Sequence, residues 1–162
     1  MIGNTEQHRG KLYFLNVKDG KILRKDGLIA DEFNFVEGTL ERIFQKERDF
    51  NGETLLYWYI NLRDEKGDLF SLGLPYSSGV FKSIILSLAS CETIGLSPVK
   101  IETYLKDGHT KVVVSSGGRK LDWITKELPP LTEQRVGGKV VKDDTARMEY
   151  ICSLVEDIKS KI

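Results

Sequence analysis

The chain has 162 residues, 30% of them charged and 40% hydrophobic, which is enough for one domain with a core of ordinary size and excludes the disordered and membrane-spanning classes. Its 24 Lys+Arg balance its 24 Asp+Glu, so no global basic field draws in nucleic acid, and any polyanion site must be local. Cys91 and Cys152 lie far apart without metal-ligand spacing, the segment Met1 to Gly10 is polar, and no long apolar run occurs, a pattern that predicts a cytoplasmic protein without export signal or membrane span.

In chain order, Lys11 to Lys25 reads as a hairpin around the turn Asp19-Gly20, with Lys18, Lys21, Arg24 and Lys25 around the turn and His8 and Arg9 before it. A loop begins at Asp26-Gly27. From Phe35 a long strand runs to Phe44, and Gly38 within it suggests a bulge or a close backbone approach. After the turn Asn51-Gly52, Thr54 to Leu62 is the strongest strand signal in the chain, and Asp68 to Tyr76 alternates as a third strand that Pro75 ends.

Ser77-Ser78 offers a helix N-cap, followed by Phe81, Ile84, Ile85 and Leu88 at the spacing of one buried helical face. Val99 to Leu105 and His109 to Ser115 form a second hairpin about Lys106-Asp107-Gly108. Leu121 to Ile124 is a final short strand or strap. Pro129-Pro130 and Gly137-Gly138 punctuate a polar stretch that reads as a linker. Beyond it Asp143-Asp144-Thr145 caps a helix whose apolar stripe is Met148, Ile151, Leu154, Val155 and Ile158, with Lys159 and Lys161 suited to its C-terminal dipole.

The order of three strands, a helix and two strands is that of a five-stranded OB-type barrel with a helix between strands 3 and 4. The expected organisation is an N-terminal extension with a hairpin at 1–34, a mainly β barrel at 35–128, a linker at 129–142 and an amphipathic C-terminal helix at 143–162. Packing on the barrel is the commoner fate of such a helix, pairing with another copy or a partner protein the alternative.

No catalytic constellation stands out. His8 and His109 have neither nucleophile nor metal partner at a recognisable spacing, no phosphate-binding loop, HExxH or CxxC occurs, and the carboxylates sit beside lysines and arginines in turns. No enzyme activity, metal or cofactor is expected. What remains is an aromatic and basic set. Period-two alternation turns Leu56, Trp58, Ile60 and Leu62 inward and Leu55, Tyr57, Tyr59 and Asn61 outward.

Outward rings two residues apart are platforms on which bases stack, and Tyr104 shares that parity with Lys100 beside it. Arg42, Lys46, Arg48, Arg63 and Lys111 are cations for phosphates. The bland reading of such tyrosines is a cross-strand pair, or a surface covered by the added hairpin. Trp58 and Trp123 read as core residues with satisfied indole N–H groups. Glu37, Glu41, Glu47, Asp49, Glu53 and Glu102 lie on or near the same elements, so a phosphate groove must segregate them.

The segments Val36-Glu37-Gly38-Thr39-Leu40, Asn51-Gly52-Glu53 leading into Tyr59-Ile60-Asn61-Leu62, and Phe70-Ser71-Leu72-Gly73-Leu74-Pro75 leading into Ser77-Ser78 resemble the OB-fold single-stranded-DNA-binding proteins of tailed phages of gut bacteria. Pro98-Val99-Lys100-Ile101 and Leu121-Asp122-Trp123 continue the resemblance, which covers roughly residues 35 to 124. It implies sequence-tolerant coating of single strands in DNA replication or recombination, in the host cytoplasm, with no cofactor. The chain differs from bacterial members of the wider group in ending Asp157-Ile158-Lys159-Ser160-Lys161-Ile162 in place of an acidic tail, and in its N-terminal hairpin. The other class of reading is a protein-binding or structural barrel, such as a phage accessory component, in which the same tyrosines and the terminal helix form a protein interface. A hydrolase or nuclease, the third, requires clustered carboxylates at a spacing the sequence does not display.

Overall fold

A computed structural model describes residues 10–26 and 29–162 of the chain, so the expectations for His8, Arg9 and the loop at Gly27 lie outside the described residues. The strands in chain order are β1 (Leu12–Lys18), β2 (Lys21–Asp26), β3 (Ile29–Phe33), β4 (Phe35–Phe50), β5 (Glu53–Arg63) and β6 (Leu69–Pro75). Helix α1 (Gly79–Leu88) follows, then β7 (Val99–Lys106), β8 (His109–Ser116), β9 (Arg119–Lys120), β10 (Thr132–Val136), β11 (Lys139–Asp143) and helix α2 (Thr145–Lys159). The chain is mainly β, with a helix between the two β blocks and another at the C-terminal end.

The architecture departs from a five-stranded closed barrel. Among the described residues nine strands form one open sheet in the order β3-β2-β1-β6-β5-β4-β7-β8-β9, and β10 and β11 pair only with each other. The N-terminal hairpin is extended by β3 into a meander, and β1 lies parallel to β6, with Tyr13 opposite Phe70 and Leu15 opposite Leu72. Having taken the free edge of β6, β1 extends the sheet sideways. The stretch read as a linker carries the β10–β11 hairpin. Leu121 to Ile124 is a strap without strand pairing, held where the Ile124 N–H donates to the Leu86 carbonyl.

The tight turns set the registers. Asp19-Gly20, Asn51-Gly52 and Asp107-Gly108 have positive φ at both central residues, the primed geometry whose twist matches that of paired strands. Lys18 therefore faces Lys21, Phe50 faces Glu53, and Lys106 faces His109. The bulge in β4 lies between Leu40 and Arg42, not at Gly38. Gly38 is the close approach, since a Cβ there would stand 2.8 Å from the Arg63 carbonyl oxygen.

The sheet curls until the turn between β1 and β2 meets β7 and β8 through side chains. The Thr103 hydroxyl donates to the Gly20 carbonyl over 2.9 Å, and the Gly20 N–H donates to Thr110 Oγ1 over 3.0 Å. Inside the curl one core contains Ile22, Leu40, Ile43, Ile60, Leu62, Leu72 and Ile101 of the strands, Phe81, Ile84, Ile85 and Leu88 of α1, and Met148, Ile151, Leu154, Val155 and Ile158 of α2. Both helices thus bury the stripes their spacing predicts. Ser78 caps α1 by accepting from the Phe81 N–H. Asp143 accepts from the Thr145 N–H and hydroxyl at the start of α2, bonds that hold its carboxyl below the usual range. Both cysteines are free. Among the described residues no helix is long and apolar enough to cross a membrane.

Candidate nucleic-acid interface

The long hairpin of β4 and β5 organises the candidate site. Residues directly opposite on antiparallel strands share a face, and the bulge before Arg42 resets the alternation of β4 for the rest of its length. One face then carries Arg42, Phe44, Lys46, Arg48 and Phe50 of β4, opposite Asn61, Tyr59, Tyr57, Leu55 and Glu53 of β5. The reverse face carries Gln45, Glu47 and Asp49, opposite Trp58, Leu56 and Thr54. Three cations therefore stand on one side, and the carboxylates of Glu47 and Asp49 on the other; Glu53 at the tip and Glu41 at the bulge, the latter paired with Arg63, are carboxylates on the basic side.

Aromatic contacts fix the basic face. The Arg42 guanidinium lies 4.3 Å from the Phe44 ring centroid, Phe44 stacks on Tyr59 at 5.3 Å, and the Arg48 guanidinium lies 5.2 Å from the Tyr57 ring. Across the next strand, Pro75 faces Tyr57, Gly73 faces Tyr59 and Ser71 faces Asn61; Phe14 of β1 then faces Ser71. Arg42, Lys46, Arg48, Phe14 and Phe50 are exposed, Phe44 and Tyr57 half-buried.

Tyr59 departs from the expected exposure: its relative accessibility is 8%. Its ring lies between Phe44 and Gly73, where a Cβ would come within 3.0 Å of Tyr59 Cε1. The phenol is thus the floor under Phe44, in the cross-strand pair that the alternative reading foresaw. Phe44, Phe14 and Phe50 were not foreseen as site residues. The three-residue interval from Leu40 to Ile43 between buried positions was the available signal for Phe44, because it marks the bulge.

Tyr104, Lys100 and Lys111 share the expected parity and lie elsewhere. Tyr104 is exposed and faces Lys111; Lys100 faces Glu37 and holds its ammonium 4.5 Å from the Phe35 ring. Glu37 and Lys46 stand nine residues apart on β4, up to about 30 Å along a strand. Arg63 is also committed elsewhere, to the Glu41 carboxylate and the Gly67 carbonyl, and the hydrogen bond to Glu41 raises its pKa further. Trp58 is core, stacked on Phe81 at 4.6 Å, but its indole N–H finds no acceptor among the described residues. Trp123, expected in the core, is 43% exposed on the strap.

Among the described residues no three His, Cys, Asp or Glu side chains gather to hold a metal ion. Comparison of the chain with protein-family models, curated proteins and solved structures finds no match.

Proposed function

We propose that the chain binds single-stranded nucleic acid, DNA above all, on the basic face of β4, β5 and β6, without catalysis. The observation that carries the reading is the sorting of charge by strand parity: Arg42, Lys46 and Arg48 interleave with Phe44, Tyr57 and Phe50, while Glu47 and Asp49 point away. Cations tracking a phosphate backbone and rings receiving bases are the two elements of sequence-tolerant single-strand binding.

Strands β4, β5, β6, then α1, then β7 and β8 follow the OB order, with β7 paired to β4. The ligand face of that fold is formed by its second and third strands and the loop between its first two, here β5, β6 and the Asn51-Gly52 turn. On this reading β1 to β3 are an addition to the third strand's edge, and the role is the coating of single strands in phage replication or recombination.

The test is fluorescence anisotropy with a labelled oligo-dT at low and near-physiological salt. Three phosphate contacts predict a slope of log K on log salt of about −2. Tyr57→Ala, removing one base platform worth about 1–3 kcal/mol, weakens binding about five- to hundredfold. Wild-type protein that fails to bind at low salt, or a Tyr57→Ala, Lys46→Ala, Arg48→Ala variant that binds as well as wild type, overturns the proposal.

A second reading rests on the hairpin tip, where Phe50 is 65% exposed and Leu55 and Leu56 are exposed as well. Such apolar area suits a protein partner. Self-association that salt does not weaken, without oligonucleotide binding, is its signature.

A further inference from the structure

A cleft of about 610 Å³ opens between the start of α1, the first residues of β8, the strap and the start of α2. Its size is within the roughly 300–1,000 Å³ of small-ligand sites. Its lining includes Lys82, His109, Lys111, Arg147 and Trp123 and contains no Asp or Glu. In a chain whose charges balance, two lysines, an arginine and a histidine from three elements line one cleft together with an exposed indole, which concentrates positive charge beside a stacking surface. Lys82 also holds Asp144 at 3.2 Å, and Arg147 donates to the Pro129 carbonyl at 3.0 Å; Lys111 and His109 make no side-chain hydrogen bond or ion pair among the described residues and stand exposed.

The cleft also adjoins the proposed strand-binding face. Pro75 faces Tyr57 on that face, and Ser78, three residues further on, already lines the cleft. Three residues reach at most about 10 Å. Among the described residues the sheet continues beyond β8 only as β9, which pairs with Ser115 and Ser116, so none of them forms a strand beyond the His109 end of β8.

We propose that this cleft is a nucleotide subsite, taking a base on Trp123 and its phosphate among Lys111, His109, Lys82 and Arg147. Resting on the single-strand reading above, it extends the strand's path from Tyr57 past Ser78 to the strap. Bound length then exceeds that of the hairpin face alone, and only longer oligonucleotides engage Lys111 and Trp123.

Two signals test this on the full chain, with oligo-dT of about 4 and about 12 nucleotides, spanning the site sizes of such folds. Anisotropy reports binding. Quenching of tryptophan emission reports the cleft, since Trp58 is 4% exposed and Trp123 is 43% exposed. The longer oligonucleotide is expected to quench emission in wild type and not in Trp123→Ala. Lys111→Glu should weaken its binding about tenfold and lower the salt slope by about 1, leaving the shorter one unaffected. Both substitutions are at exposed positions, and unchanged thermal unfolding separates a lost site from a lost fold. Long-oligonucleotide binding that is unaltered in Lys111→Glu and Trp123→Ala, yet lost in Tyr57→Ala with Arg48→Ala, overturns the cleft and leaves the hairpin face standing. Quenching that survives the Tyr57 and Arg48 substitutions with affinity intact overturns the hairpin face and leaves the cleft. No binding and no quenching overturn both.

Discussion

Phe44 and Tyr59 stack across β4 and β5 with centroids 5.3 Å apart and ring planes inclined by 19°. The two rings divide the work of the face: Tyr59 is buried against Gly73 and supports, and Phe44 rests on it under the Arg42 guanidinium. Tyr57, two residues away, is half-buried and carries Arg48. Similar residues on one strand therefore answer substitution differently. Tyr59→Ala should lower stability by about 3 kcal/mol or more, as truncation of a buried aromatic does, and Tyr57→Ala by about 1 kcal/mol or less. Thermal and urea unfolding measure the difference, and equal losses would contradict the assignment of floor and platform.

The arginines divide in the same manner. Arg63 is already bound by Glu41 and the Gly67 carbonyl, whereas Arg48 faces solvent over Tyr57. Arg48→Ala is expected to weaken oligo-dT binding and reduce the salt slope by about 1, and Arg63→Ala to leave both within about twofold. Anisotropy titrations at several salt concentrations decide this; a larger loss in Arg63→Ala would mean that the Glu41 pair opens to the ligand.

Alkali should find one particular tyrosine. The Tyr76 hydroxyl sits 3.7 Å from Cys152 Sγ, and its ring stacks on Trp58. The contact with Cys152, followed by burial, pushes the Tyr76 pKa up to about 12. Its neutral form is thus favoured in the fold more than in the unfolded chain, so the stabilisation is fully present below about pH 10 and is lost as pH rises from there through about 12. Absorbance titration should show one of the six tyrosines ionising last, and Tyr76→Phe should flatten the loss of stability over that window. An unchanged alkaline limb in the variant would count against it.

Gly38 tests the bend of β4. A Cβ would meet the Arg63 carbonyl oxygen at 2.8 Å and its carbonyl carbon at 2.9 Å, both backbone atoms that cannot rotate away. Gly38→Ala should therefore cost about 1–3 kcal/mol, the usual penalty of overpacking. Chemical denaturation reads it. A stability equal to wild type would show that β4 and β5 can separate there at no cost.

Much of the fold was legible locally. The turns Asp19-Gly20, Asn51-Gly52 and Asp107-Gly108, the Ser78 cap and the two helical stripes depend on residues a few positions apart, and all appear where the sequence puts them. So does the inward set Trp58, Ile60 and Leu62, because side-chain alternation is a property of the strand itself. Leu56, of the same parity, lies towards the hairpin tip and is exposed, since parity chooses a face and only the neighbouring elements decide whether that face is covered.

The rest was set by pairings between distant segments. Whether a barrel closes depends on which strand reaches the free edge of β6, and β1, more than fifty residues earlier in the chain, is the strand that lies there. Tyr59 is buried because Phe44 and Gly73 come from two other strands, and Trp123 is exposed because, among the described residues, nothing folds over the strap. Sequence by itself determined the tight turns, the two helices and the inward parity of β5, whereas β4 runs on past the expected end at Phe44 to Phe50 through its pairing with β5, and that pairing sorts Lys46 and Arg48 from Glu47 and Asp49. Tertiary structure alone decided which outward rings are platforms and which are floors, and it gathered Lys82, Lys111, Trp123 and Arg147 around one cleft, since lateral order and burial follow from long-range contacts that no local pattern encodes.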